Sequence, residues 1–308
     1  MEKLESINKT EVEKSKDAFG QYIEKGEKEA VNLVEERFDN NPDERNKLDF
    51  HNTQHTNDII RRTKSILFAL EKIGFASRRD VEIGVLAAAF HDTTQKWEGN
   101  VVQDGLWSKV IRKRFTGENE NVSAEEAVAF MKKANQEAGK EIFSLRDIDA
   151  VREAISATIP GFNPELKTVI QPNLNERSSV VARALALADI GAAGMDGPEA
   201  FCREGDAVFR EENLDIMDKL KNINALSDKE KKYFRERMLN WTKFQSNFAK
   251  GRKALLETEL QGILELARDE VKKLFKEFDR SIETVEKSAE KRQSLSFEEL
   301  ARDMGYKI

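Results

Sequence analysis

Ile83-Gly84-Val85-Leu86-Ala87-Ala88-Ala89-Phe90-His91-Asp92 is the stretch whose reading decides the fold. Its apolar run is rich in Ala and Leu and lacks β-branched alternation, so it reads as a buried helix rather than a strand. His91-Asp92 therefore projects from the end of a rigid element. Working outward, the chain's three histidines all fall between His51 and His91, the other two being His51 and His55 in His51-Asn52-Thr53-Gln54-His55. Imidazole is the commonest neutral metal ligand and titrates near physiological pH. Two histidines four residues apart plus a His-Asp pair suggest a hydrolytic centre built on a hard divalent metal.

The flanking sequence reads as helical. Residues 9 to 38 carry a partial apolar face of Ala18, Tyr22, Ala30, Leu33, Val34 and Phe38, and Asp39-Asn40-Asn41-Pro42-Asp43 then breaks the chain. Gly161 to Ser178, with Pro164, Pro172 and several asparagines, reads as a loop, and Val180 to Ala188 as an apolar helix ending at Asp189. No proline follows Pro198, which predicts an almost wholly helical C-terminal part. There Leu260, Ile263, Ala267, Val271, Leu274, Phe278, Ile282 and Val285 recur at three- and four-residue spacing, a stripe for packing or for pairing two chains. Ser296 is placed to cap a last short helix carrying Phe297, Leu300 and Met304. The expected class is all-α: N-terminal helices over 1–40 packing on a core domain over 41–250, and a long C-terminal helical extension over 251–308 that packs back or forms a homodimer.

Composition narrows the function. The 51 Lys and Arg against 57 Asp and Glu are interleaved, so no broad cationic surface advertises nucleic acid, and phosphate recognition has to be local. No stretch approaches the ~20 apolar residues of a membrane span, and the charged Met1–Asn8 segment has no signal-peptide core. A single cysteine, Cys202, excludes an intramolecular disulfide and cysteine-cluster zinc chemistry, and points to a cytoplasmic setting.

In chain order His55, His91-Asp92 and Asp189 follow an H…HD…D pattern, and on these residues the chain resembles the HD superfamily of all-helical metal-dependent phosphohydrolases. The resemblance implies an HD-domain bundle over 41–250 in which His55, His91, Asp92 and Asp189 hold one or two divalent ions, whether Fe, Mn, Mg or Zn. Finer features resemble the class I cyclic nucleotide phosphodiesterases. Phe50-His51-Asn52-Thr53-Gln54-His55 is similar to their Tyr/Phe-H-N-x-x-H segment, whose first histidine is a general acid and whose second is a ligand. His91-Asp92 through Gln95 to Asn100 matches the first, second and last positions of H-D-x-x-H-x(4)-N, with Gln95 in place of the third histidine. Glu120-Asn121 resembles E-N-H-H, with Val122 and Ser123 at the histidine positions, and Ala157-Thr158 resembles a helix bearing A-T. Ala188-Asp189-Ile190 is similar to the A-D-L/I carrying the last ligand. Gln245 to Phe248 resembles a Q-x-x-F in which an amide reads a purine edge and the ring stacks on it.

The resemblance thus implies His51 and Asp92 as catalytic residues, Gln95, Glu120 and Thr158 around the metal, and Asn100, Gln245 and Phe248 toward the substrate. The absent histidines would orient the waters of a second ion, and a histidine-rich di-iron oxygenase site is disfavoured. Arg252, two turns along the face from Gln245, is better placed than Lys243 or Lys253 to hold phosphate. For several of these residues an ordinary reading stands alongside: Asn100 as a helix cap, Gln245 and Phe248 as neighbours on any amphipathic helix.

The chemistry is self-consistent without the family. A phosphodiester repels nucleophiles through its charge, and a bound cation both neutralises that charge and lowers the pKa of a coordinated water toward ~7. Asp92, having two oxygens, could bridge two ions. His51, one turn before His55 if the helix begins that early, could protonate a leaving alkoxide. The expected activity is hydrolysis of a nucleotide-like phosphoester, a cyclic nucleotide first, by a metal-activated water. The alternatives are a phosphomonoesterase acting on nucleotides or small metabolites, and a non-catalytic HD protein that binds a nucleotide or a partner.

Overall fold

The structure, a computed structural model, describes residues 2–308, with side chains from Ala18 onward; Met1 and the side chains of 2–17, part of the expected first helix, lie outside the described residues. Among the described residues 66% are helical, in 13 helices with two small strand pairs, so the all-α expectation holds apart from two hairpins. The elements run α1 (Glu2–Val34), α2 (Thr53–Lys72), α3 (Arg78–Phe90), β1 (Trp97–Asp104), β2 (Trp107–Arg114), α4 (Glu118–Ala138), α5 (Leu145–Ser156), β3 (Gly161–Asn163), β4 (Thr168–Ile170), α6 (Val180–Asp189), α7 (Ala192–Met195), α8 (Pro198–Glu212), α9 (Leu214–Leu220), α10 (Asp228–Glu259), α11 (Glu265–Lys272), α12 (Phe278–Gln293) and α13 (Phe297–Asp303).

Helix α3 is the axis of the core. Ser77 caps it with its side chain, Asp80 returns the bond to the Ser77 backbone, and every residue from Ile83 to Phe90 is buried. Helices α1, α2, α4, α5 and α6 surround it. A helix apolar on all sides can exist only when enclosed in this way. Leu86 is fully covered, and truncating such a residue to alanine typically costs about 2–5 kcal/mol. Rigidity at the end of α3, where the His-Asp pair sits, follows from that enclosure.

Both hairpins correct the sequence reading. β1 and β2 pair antiparallel with Asp104 opposite Trp107, leaving Gly105-Leu106 as a two-residue turn. Gly105 adopts φ +63°, a value glycine enters freely, and Asp-Gly between two β-branched runs is a hairpin signal. The expected loop over 161–178 contains β3 and β4, with Asn163 opposite Thr168. This hairpin lies on α10: Thr168 Oγ1 donates to the Phe248 carbonyl at 3.0 Å, and a Cβ on Gly251 would come within 2.6 Å of Thr168. Only glycine permits so close an approach.

The C-terminal apolar stripe is covered within the chain. It is divided among α11, α12 and the turns that precede them, and Leu260, Ile263, Ala267, Val271, Phe278 and Val285 join the main core. Helix α10 runs unbroken across position 250. A second core of Phe209, Ile216, Phe234, Met238, Phe297, Leu300 and Met304 ties α8, α9, α10 and α13 together, with Ser296 capping α13. Arg292 of α12 donates to Asp206 of α8 at 2.9 Å and to Thr242 of α10 at 3.1 Å, a buried pair fixing the geometry of those three helices. No helix of the described residues is long and apolar enough to cross a membrane.

Candidate metal centre

Three helix ends meet at one point. His91 follows directly on α3, and its Nδ1–H donates to the Ala88 carbonyl at 2.7 Å, which leaves Nε2 as the free ring nitrogen. His55 stands in the first turn of α2, whose start is fixed by the Asn52 side chain accepting the His55 backbone N–H at 3.0 Å. Asp189 is the last residue of α6. Fully buried Arg62, from α2, reaches the Ala188 carbonyl and bonds Asp196 at 2.7 Å and Glu204, holding the end of α6 against α2.

One ligand atom from each of His55, His91, Asp92 and Asp189 lies within 4.8 Å of the others. His91 Nε2 is 3.1 Å from Asp92 Oδ2 and 3.7 Å from Asp189 Oδ1; His55 Nε2 is 3.4 Å and 3.6 Å from the same two oxygens. Neither Nε2 has a hydrogen-bond partner among the described residues although both are buried. Burial alone would depress both imidazoles, yet the two carboxylates outweigh it and raise them, His91 well above its usual value. Conversely, burial works to raise the aspartates and the imidazoles overcome it, taking Asp189 down to about 2 and Asp92 well below the ordinary range. One buried and one half-buried carboxylate need compensating positive charge, and orphaned imidazole nitrogens beside them form a donor set suited to a divalent ion.

Above the cluster opens a cavity of about 350 Å³, in the size range of small-molecule sites. Asp92, Asp189, His51, Glu120 and Thr158 line it on the polar side, and Phe201, Trp241, Phe244, Gln245 and Phe248 on the aromatic side. Phe201 and Phe248 stack with centroids 5.9 Å apart. Helix α2 begins at Thr53, so His51 precedes it and does not share a helical face with His55, because Asn52 takes the extended cap conformation. His51 is placed instead by Glu211 of α8: its Nδ1 lies 2.5 Å from Glu211 Oε1, and Oε2 accepts the backbone N–H groups of Phe50 and His51 at 2.9 and 3.1 Å. Burial would raise Glu211, but His51 and those N–H groups bring it down to about 2. The His51 Nε2 is thereby turned inward, 4.0 Å from Asp92 Oδ2.

No family model matches this chain, and neither does any curated protein or solved structure. The centre is therefore read from its own geometry. Gln95 donates to Asp92 Oδ1 at 2.7 Å, Glu120 accepts the Gly117 N–H at the start of α4, and Thr158 bonds the Ile155 carbonyl. Two expected substrate residues lie elsewhere. Asn100 sits in β1 opposite Ile111, neither capping a helix nor lining the cavity, because the residues after His91-Asp92 form a strand. Arg252 is buried and committed to Glu259 and the Val169 carbonyl, anchoring the small hairpin rather than facing the cavity. The sequence reading missed Glu211 and Arg114. Glu211 carried no local signal, since its role arises from a contact spanning 160 residues; Arg114 was hidden in the unrecognised hairpin.

Proposed function

We propose that the protein is an HD-type metal-dependent phosphohydrolase acting on a nucleotide-like phosphoester, with a cyclic nucleotide the leading substrate class. The observation that carries this is the buried His55, His91, Asp92 and Asp189 cluster, with its two unpartnered Nε2 atoms, opening into a cavity that also holds the His51–Glu211 pair. A divalent ion held by the four residues would supply Lewis acidity toward the phosphoryl group and an acidified water.

The chain's own residues do the rest. Glu211 orients His51 through Nδ1, which turns Nε2 into the cavity where it can serve a departing alkoxide as proton donor. The aromatic wall excludes water and offers π-faces to a base, and the Gln245 amide, buried and without a hydrogen bond among the described residues, is free to read a base edge. The test is elemental analysis of the purified protein followed by a phosphoester panel with and without chelator. Chelator-sensitive hydrolysis of a nucleotide substrate is expected. A metal-loaded protein inert toward every phosphoester would leave a nucleotide-binding protein in place of an enzyme.

A further inference from the structure

The two oxygens of Asp92 are not equivalent. Oδ2 faces the three imidazoles, at 3.1, 3.4 and 4.0 Å, whereas Oδ1 accepts the Gln95 amide and faces the Arg114 guanidinium at 3.8 Å. Glu120, the second carboxylate within 4.0 Å of that guanidinium, accepts the Gly117 N–H with Oε2 and turns Oε1 to the same group, also at 3.8 Å, while Glu212 lines the cavity nearby. Arg114 ends β2, opposite Trp97, so the base of the long hairpin delivers it to the cavity wall.

Among the described residues the Arg114 side chain makes no hydrogen bond; its Nε is buried and unpartnered, and the carboxylates of Asp92 and Glu120 lie beyond hydrogen-bond reach of its terminal nitrogen. Arg112, two residues earlier, is by contrast committed to the carbonyls of Glu211 and Arg45. A guanidinium carries five N–H donors in a fork that matches two oxygens of a phosphate. Here that fork is intact and lines a cavity.

We propose that Arg114 stands in for a second cation: the centre holds one divalent ion, and the guanidinium binds the phosphoryl group on the side of Asp92 where a second ion would otherwise lie. An ion there would share Oδ1 with the Gln95 amide and face the charge of Arg114, which disfavours Asp92 as a bridge. This inference rests on the phosphoester reading for its ligand, but not on hydrolysis.

The experiment pairs manganese stoichiometry with calorimetric binding of inorganic phosphate to the manganese-loaded protein, for wild type, Arg114→Ala and Arg114→Lys, each checked for folding by its thermal melt. One manganese per chain is expected in wild type, and about 10- to 100-fold weaker phosphate binding in Arg114→Ala, as for loss of a charge-assisted pair. Arg114→Lys, which keeps the charge but loses the fork, should fall between; should the alanine variant fail to fold, the lysine variant decides by whether its phosphate affinity drops. Two ions in wild type, no phosphate binding by wild type, or phosphate affinity independent of Arg114 would each overturn the proposal. A chain that binds phosphate through Arg114 yet hydrolyses nothing would refute the enzyme and leave this inference standing.

Discussion

Glu211 Oε1 lies 2.5 Å from His51 Nδ1 while the other oxygen of the same carboxylate holds the two backbone N–H groups at Phe50 and His51. One side chain thus sets both the position of the loop before α2 and the tautomer of the histidine it carries. Glu211→Gln removes the charge and sets an amide N–H₂ against existing donors. If His51 is the general acid, hydrolysis should fall by up to the ~10²–10⁴-fold that such a group contributes, with metal content unchanged. Stability should drop by about 1–3 kcal/mol because buried donors lose their acceptor. An unaltered kcat in a metal-replete Glu211→Gln protein would remove His51 from the chemistry.

Asp92 and His51 should fail differently. Asp92→Ala removes one of the four residues that could hold a metal and leaves Gln95 and Arg114 facing a void, so both metal content and activity should be lost together. His51→Ala should keep the metal and lose about 10²–10⁴-fold in rate, the usual contribution of a general acid. Elemental analysis of the two variants beside their rates distinguishes these outcomes; metal retained at wild-type level in Asp92→Ala would contradict the ligand assignment.

The electrostatics give a pH dependence of definite sign. In metal-free protein His91 sits well above its unfolded value of 6.5, because Asp92 and Asp189 outweigh the effect of burial. Its protonation therefore stabilises the fold fully below that unfolded value, and the contribution is lost as pH rises toward the folded one. Metal binding requires the deprotonated imidazole, so stabilisation by metal must grow in the same direction. Melting temperatures of chelator-stripped and manganese-loaded protein between about pH 5.5 and 8.5 should diverge, the stripped form declining and the gap widening. A gap independent of pH would show that the imidazoles do not meet the ion.

The helical frame was legible because its signals are local: the apolar run into His91-Asp92, the Ser296 cap and the run ending at Asp189 each declare an element within a dozen residues. The long hairpin had a local signal too, in Asp104-Gly105 between two β-branched stretches, but it interrupts the segment between His91-Asp92 and Glu120-Asn121 that resembles a helical motif. What no local pattern carries is the partner of a side chain. Arg252 looked free on a helical wheel and is held by Glu259 seven residues on, while Glu211 and Arg114 enter the site through contacts that exist only once the chain has folded.

Gly205 offers a test of how Gln245 acts. It lies within α8, and its carbonyl accepts the Trp241 indole N–H at 2.8 Å. A Cβ on Gly205 would come within 2.7 Å of Gln245 Oε1, so the amide rests against the bare glycine. Gly205→Ala should not weaken the fold: alanine in a helix interior is favoured over glycine by about 0.8–1.0 kcal/mol, and the atom it displaces is the free end of a flexible side chain. The amide, however, must move. If Gln245 reads a base edge, Gly205→Ala should reduce discrimination between purine and pyrimidine substrates nearly as much as Gln245→Ala does, while both variants keep wild-type turnover of a small artificial phosphodiester. Base preference unchanged in both, in proteins whose melting temperatures match or exceed wild type, would reduce Gln245 to a packing residue and the substrate class to phosphoesters in general.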